Sequence, residues 1–342
     1  MKRGTGKNTI KKKHVASKVT LKKKRAAVRK QGKEWNPDEV KAKLKERINH
    51  LSGSGKATIR LKWIVKSISE IDEKKVVQKV VTRGNYGPVD AQQKTEIEKY
   101  IKSTQMTIDQ ALSLRSARLR QKSFERHPFL RREAKSALGK YKMGHTALDL
   151  ARTFDQPPMN VFRVILSEMK WSKNQIKNAL RDPTKFEGRE LNEYLALKPM
   201  DIVATEDKKT KERAGKFEDI VSVWLERKGI RFVREEQLQK EQEKEFSKAI
   251  ATPDFLLLDQ VSINGTPCHW IDCKSYYGAD VYLDVDSTKK QKNRYVNNWG
   301  SGAIIYLQGF CETIKTKIRG CTLLNAYGNI DIDLLRQLHG SN

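Results

Sequence analysis

Apolar residues in the last third of the chain follow two periods. Phe217, Ile220, Val221, Trp224 and Leu225 recur at helical spacing and predict a helix that ends at Gly229. Residues 230–233 read as a short strand, and the unbroken run Phe255-Leu256-Leu257-Leu258 as a buried one. Asn264-Gly265 is the strongest short hairpin signal in the chain, with 270–273 as the returning strand. Residues 286–299 form a polar helical pattern with Tyr295 and Trp299 on one side. Residues 303–307 are an apolar strand leading to Gly309, and 322–327 another. Helix, three strands, helix, strand (αβββαβ) predicts an α/β module over 210–342.

Upstream, 35–206 reads as mostly helical. Asn36-Pro37-Asp38-Glu39 has the form of a helix start, followed by Leu44, Ile48 and Leu51 at helical spacing and stopped by Ser52-Gly53-Ser54-Gly55. Gly55-Lys56 is not a phosphate loop, because His50 stands where that motif needs glycine. The most regular stretch is 146–182. Thr146 can cap a helix bearing Leu148, Leu150, Ala151 and Phe154, and Asp155-Gln156-Pro157-Pro158 makes a turn. A second helix carries Met159, Val161, Phe162, Val164, Ile165 and Leu166. A third carries Ile176, Ala179 and Leu180 and stops at Asp182-Pro183. Short helices on tight turns suit a helix-turn-helix with Arg152, Arg163 and Lys170 on phosphates, and equally a plain packing domain. A charged linker at 206–211 marks the boundary.

Charge changes this picture. The 342 residues carry a net charge of +28, with fourteen Lys/Arg and no Asp or Glu in 1–33, against nineteen basic and eighteen acidic in 211–342. Residues 1–34 therefore read as a disordered basic arm, too poor in apolar residues to offset chain entropy. Its clusters, Lys11-Lys12-Lys13 and Lys22-Lys23-Lys24-Arg25, suit nuclear import, phosphate contact or mere solubility. No apolar run approaches the ~18 residues of a membrane span, and the N-terminus has no signal-peptide core. Cys268, Cys273, Cys311 and Cys321 form no CxxC pair, so a disulfide framework or zinc finger is not expected.

The candidate chemistry lies in the α/β module. Asp254 follows Pro253 at the mouth of the first long strand, and Asp272 and Lys274 flank Cys273 on the next. Period-two alternation puts Asp272 and Lys274 on one face and Cys273 on the other. The hairpin brings Asp254 close to Asp272, and Glu218 on the preceding helix can approach the same end. Carboxylates at an apolar rim repel each other unless a cation joins them, and oxygen ligands suit Mg²⁺ or Mn²⁺. With Lys274 to stabilise a phosphoryl transition state, this describes a metal-dependent phosphodiesterase. The bland alternative is an Asp at a strand start and an Asp–Lys pair at a strand end. Asp72-Glu73-Lys74 has a similar spelling but sits in charged helical sequence, where this geometry does not apply. His269 reads as structural and Trp299 as core. Tyr276 and Tyr277 suit base stacking or packing equally.

At these residues the chain resembles a known family. Thr252-Pro253-Asp254, His269-Trp270-Ile271-Asp272-Cys273-Lys274, Gly278, Gln291 with Tyr295, and Gly302-Ala303-Ile304-Ile305-Tyr306 are similar to the codanin-interacting nucleases, TPD-motif proteins of the PD-(D/E)xK, restriction-endonuclease-like superfamily. The resemblance implies a helix-turn-helix region before a nuclease core, residence in the nucleus, and a codanin-like partner. It puts metal ligation on Asp254, Asp272 and the backbone carbonyl of Cys273, with Glu218 as the acidic residue of the first core helix. It makes Lys274 the catalytic lysine, and Gln291 and Tyr295 substrate contacts or supports of the site. Glu is expected where this chain has Asp272, an acid one methylene shorter. The expected function is a Mg²⁺-dependent nuclease, DNA being favoured. The alternatives are a catalytically idle nuclear adaptor, or a nucleic-acid-binding protein that works through residues 1–210.

Overall fold

The computed structural model describes residues 57–204 and 208–336, together with Ala42 and Glu46. The chain divides into a unit over 1–47 and a second over 48–342, and every element below belongs to the second. The basic arm, the 36–55 segment and residues 205–207 of the charged linker lie outside the described residues. In chain order the elements are β1 (Ile59–Leu61), α1 (Glu70–Val80), α2 (Ala91–Ile101), α3 (Ile108–Arg132), α4 (Ala134–Lys142), α5 (Ala147–Phe154), α6 (Pro158–Glu168), α7 (Lys173–Arg181), α8 (Gly188–Leu197), α9 (Lys208–Arg227), β2 (Phe232–Arg234), α10 (Glu235–Phe246), β3 (Phe255–Ile263), β4 (Thr266–Lys274), α11 (Tyr282–Trp299), β5 (Ala303–Tyr306), α12 (Ile314–Lys317), β6 (Thr322–Asn325) and α13 (Ile332–Arg336). The protein is mixed α/β.

The six strands form one mixed sheet in the order β1-β3-β4-β5-β6, with β2 also on β3. β3 and β4 are an antiparallel hairpin turned at Asn264 and Gly265, whose φ of 50° and 82° put both in the left-handed region. β4, β5 and β6 run parallel, so the chain must cross over between them, through α11 and then through the segment that holds α12. The helix α9 lies against one face: Phe217, Ile220, Val221, Trp224 and Leu225 share a core with Phe255, Ile271, Ile305 and Leu324. On the other face Trp270 meets Tyr295 of α11 edge-on, with ring centroids 5.2 Å apart. Ile271 and Cys273 thus face α9 while the alternate residues face α11, as period two requires.

One element of the module departs from the expected order: α10 intervenes between β2 and β3. β6 is the strand expected over 322–327, and it extends the sheet beyond β5. A second difference is upstream. β1, within the span that reads as helical, is a strand pairing in parallel with Val261, Ser262 and Ile263. Three residues are too few to show a period, and β1 exists because β3 offers an open edge. Trp63, just after it, enters the sheet core and meets Trp224 edge-on at 5.3 Å. The hairpin residue Asn264 holds that segment, accepting from Trp63 N at 2.8 Å and donating to Trp63 O at 2.8 Å.

The helices over 147–181 fall where their spacing predicts. Thr146 caps α5 by accepting from the Asp149 amide, and Ser172 caps α7 in a capping box with Gln175. They share a second core with α3, α4 and α8, built on Leu130, Phe154, Phe162, Ile165 and Phe186.

Gly302, just before β5, has the least room of the described glycines: a Cβ there would lie 2.2 Å from the Trp270 ring, which is fully buried. Gly302→Ala is expected to cost about 1–3 kcal/mol through overpacking and to lower the melting temperature by several degrees. An unchanged melt would show that Trp270 can move aside.

Candidate active site

The register of the hairpin assembles the site. Phe255 pairs with Ile271, so the next positions along, Asp254 and Asp272, stand opposite each other where β3 begins and β4 ends. Asp254 Oδ2 accepts the backbone N–H of Cys273 at 2.5 Å, which locks the Pro253-Asp254 segment onto β4. Asp272 is 1% exposed. Its Oδ2 meets the Lys274 Nζ in an ion pair at 2.6 Å, and its Oδ1 accepts from Gln291 Nε2 at 3.1 Å. Gln291 bridges the set. Its Oε1 accepts from Lys274 Nζ at 2.8 Å, and its Nε2 also reaches the Tyr295 hydroxyl at 3.0 Å. Tyr295 donates onward to Thr252 O at 3.0 Å. Four of the expected residues, Asp272, Lys274, Gln291 and Tyr295, therefore form one bonded group, and Asp254 is tied to it through the Cys273 peptide.

Glu218 stands further out. It is half-buried on α9, and among the described residues no hydrogen bond or ion pair reaches it. Its carboxyl is raised by burial, then by the charge of Glu235, with Asp272 adding to the rise and Arg234 opposing it. It senses the site's charge without joining the bonded group.

The electrostatics follow from two carboxylates sharing one buried ammonium. Burial, and then the neighbouring charge of Asp272, push the Asp254 carboxyl up to about 8. Burial works against the Lys274 ammonium, but Asp272 beside it more than offsets this and holds the group above its ordinary value. Among the described residues no three His, Cys, Asp or Glu side chains are grouped closely enough to hold a metal ion alone. The donor set nevertheless fits Mg²⁺ or Mn²⁺. Mg²⁺ is commonly held by one or two carboxylates and completed by water and substrate phosphate. Asp272 Oδ2 is also a buried oxygen whose one partner among the described residues is the Lys274 ammonium, 2.6 Å away.

The approach to Asp254 is held by residues that the sequence did not single out. Gln242 of α10 is 2% exposed, donates to Ala251 O at 2.9 Å and accepts from the amides of Ile250 and Ala251. Trp299 Nε1 donates to the same Ala251 oxygen at 2.9 Å. A glutamine in so polar a helix looks solvated, and nothing local marks it. Glu73, in the segment set aside as a look-alike, is also buried: it accepts from the Tyr277 hydroxyl at 3.0 Å and pairs with Arg118 at 2.8 Å. Tyr277 is thus a packing residue rather than a stacking platform, and Tyr276 lies partly buried against Tyr306. His269 holds Ser301 O through Nδ1 at 3.0 Å, a structural contact. Of the three expected phosphate contacts, Arg163 lines a cleft, Arg152 is paired with Asp149 at 3.5 Å, and Lys170 sits at the left-handed residue (φ 71°) that follows α6.

Asp254 provides a test of this electrostatic frame. A carboxyl whose folded pKa lies above its unfolded value stabilises nothing extra below pH 4, where both states are protonated. It then costs stability progressively as pH rises towards its folded pKa near 8. Asp254→Asn removes that cost and can still accept from Cys273 N. The variant is expected to match the parent near pH 4 and to exceed it by on the order of 2 kcal/mol at pH 9, without added metal. Denaturant melts across that range measure it, and a gain independent of pH would contradict the assigned burial.

A family model described as "Protein of unknown function TPD sequence-motif" matches residues 190–326, which contain the whole bonded group. The chain is similar to the CDAN1-interacting nuclease 1 of Mus musculus, 28% identical over 211 residues, covering 58% of this chain and 71% of that protein. It is 30% identical to the Homo sapiens protein of that name over 193 residues, covering 52% and 65% respectively. It is 32% identical to the uncharacterized protein L539 of Acanthamoeba polyphaga mimivirus over 107 residues, covering 30% of this chain but only 37% of the viral protein. No solved structure matches the chain. With Thr252-Pro253-Asp254 inside the matched residues and animal relatives aligned over more than half of its length, the comparisons support a likeness to the TPD-motif proteins and to the relatives named CDAN1-interacting nuclease 1.

Proposed function

We propose that the chain is a metal-dependent nuclease of the PD-(D/E)xK kind. It would hydrolyse phosphodiester bonds of nucleic acid, DNA being favoured, in the nucleus and in association with a codanin-like partner. The observation that carries this reading is the convergence of Asp254, Asp272 and Lys274 at one rim of the sheet, with Gln291 bonded to both Asp272 and Lys274. The names of the animal relatives support the nuclease class and the partner. The basic clusters of the N-terminal arm support nuclear residence and an anionic substrate.

Asp254, Asp272 and the Cys273 carbonyl would hold Mg²⁺ or Mn²⁺, with Glu218 able to act through water. When bound, the ion supplies Lewis acidity at a phosphate oxygen and lowers the pKa of coordinated water. The chain's own groups divide the remaining work. Lys274 stays charged at neutral pH, so it serves as an electrostatic partner for a phosphate oxygen rather than as a base. Gln291 fixes the ammonium and the Asp272 carboxylate in one orientation, and Tyr295 fixes Gln291. Asp254 must lose a proton to accept a cation, which ties cation affinity to pH in the neutral range.

One observation favours the second reading, an idle adaptor on the same fold. The Lys274 ammonium already finds Asp272 and Gln291, so the polar set is largely closed without a cation. The two readings separate on one preparation incubated with labelled single-stranded, duplex and flap DNA. The nuclease reading expects cleavage with Mg²⁺ or Mn²⁺ that stops on adding EDTA. It also expects Asp254→Ala and Lys274→Ala to lose at least ~10³-fold in rate while keeping the parent's nucleic-acid binding. Cleavage that persists in both variants would falsify the site assignment, and intact folding without any cleavage leaves the adaptor.

A further inference from the structure

The carboxylate rim is not the only place where the fold concentrates charge. Between the C-terminal half of α3 and the helices α6, α7 and α8 lies a cleft of about 930 Å³. Its lining includes Lys173, Lys177 and Arg181 of α7, Arg131 of α3, Arg163 of α6, and Lys198 just after α8. Glu168 is the only acidic residue in the lining, and none of the rim residues takes part in it.

These cations differ from their neighbours. Elsewhere on α3, Arg118 pairs with Glu73, Arg120 with Asp284, and Lys122 and Arg126 with Asp155, while Arg115 bonds the Val80 and Asn85 oxygens and Arg132 lies over the Phe129 ring. Among the described residues none of the six cleft cations meets a carboxylate. One is aimed by a built relay: Asn160 Nδ2 donates to Ser123 Oγ at 2.9 Å, and Asn160 Oδ1 accepts from Arg163 at 3.2 Å. Lys173, Lys177 and Arg181 recur every four residues, about 6 Å apart along α7. Like charges at that spacing destabilise a helix by a few tenths of a kcal/mol per pair, so the row disfavours the free protein and suits a ligand with repeated negative charge. The cleft is also open, and its volume is at the upper end of small-ligand pockets, which suits a segment of polymer.

We infer that this cleft is a second nucleic-acid site, which grips the phosphate backbone of a strand away from the carboxylate rim. It depends on the nuclease reading only for the choice of nucleic acid over another polyanion. α3 joins the two regions. Ser113 accepts from the Tyr277 amide just beyond β4, and Arg131, eighteen residues along the same helix, lines the cleft, about 27 Å away by helix rise. A strand held here would leave the rim free to act on a remote position, and the cleft would set which part of the polymer is presented.

The test measures binding without turnover, in EDTA, on the full chain with its basic arm intact. Anisotropy of a fluorescein-labelled single-stranded oligodeoxynucleotide of about 16 nucleotides is followed across a salt series. K173E/K177E/R181E in the cleft is compared with K94E/K99E/K102E on α2 and at its C-terminal cap, which changes net charge equally. The neutral K173Q/K177Q/R181Q guards against misfolding, and melts verify each variant. The cleft triple is expected to weaken binding at least ~10-fold at physiological salt and to flatten the salt slope by about 2, the control triple far less. Equal losses in both triples, or none in the cleft triple, would overturn the inference in favour of the arm or of diffuse charge. Polyglutamate competing as well as an unlabelled oligonucleotide would overturn it in favour of an acidic protein partner. Because no cleavage is read, a chain that binds here and cuts nothing refutes the nuclease reading alone.

Discussion

Two carboxylates and one ammonium are held together where water is nearly excluded, and the architecture around them serves that imbalance. A buried Asp–Lys pair is close to neutral; the second carboxylate, Asp254, is the surplus charge, and it is why this rim attracts either a proton or a cation. Gln291 makes the arrangement tolerable. Its amide gives a donor to Asp272 and an acceptor to Lys274, so neither group turns away from the other. Tyr295 and Thr252 then carry this order from α11 to the segment that presents Asp254.

That chain of contacts needs a particular sheet. Asp272 and Lys274 face α11 only because Ile271 and Cys273 face α9, and α11 can lie there only because β4 and β5 are parallel and require a crossover. The close approach of Gly302 to Trp270 lets β5 begin beside β4, while the Trp270–Tyr295 contact seats the helix that carries Gln291. The catalytic proposal therefore rests on packing as much as on the polar residues. The helices over 70–132 are tied to the same region, with Glu73 on Tyr277, Ser113 on the Tyr277 amide and Arg120 on Asp284. The basic cleft and the rim are thereby fixed within one folded unit.

Much of the site was legible because its signals are local or nearly so. Alternation gives the faces of Asp272 and Lys274, Asn264-Gly265 gives the hairpin, and the hairpin brings Asp254 opposite Asp272. The four-residue spacing of Gln291 and Tyr295 gives their shared face. Other features had no local signature. β1 is three residues stabilised by a strand about two hundred positions away, and Gln242 is buried only because the 250–252 segment folds back onto α10. Glu73 resembles any solvated helical acid until Tyr277 and Arg118 surround it.

The sequence by itself determined the helices over 147–181, the hairpin and the faces of β4, since each follows from periods and turn chemistry within a few residues, while Gln291 and Tyr295 entered the site through the family resemblance. Only the tertiary structure decided that Gln291 bonds both Asp272 and Lys274, that Glu218 stands apart from that group, and that six cations, five of them from three helices and one from the residue after α8, meet in one cleft. The reason is the range of the forces involved. Periodicity reports how a residue faces its own element, whereas desolvation and charge pairing depend on which distant elements close over it.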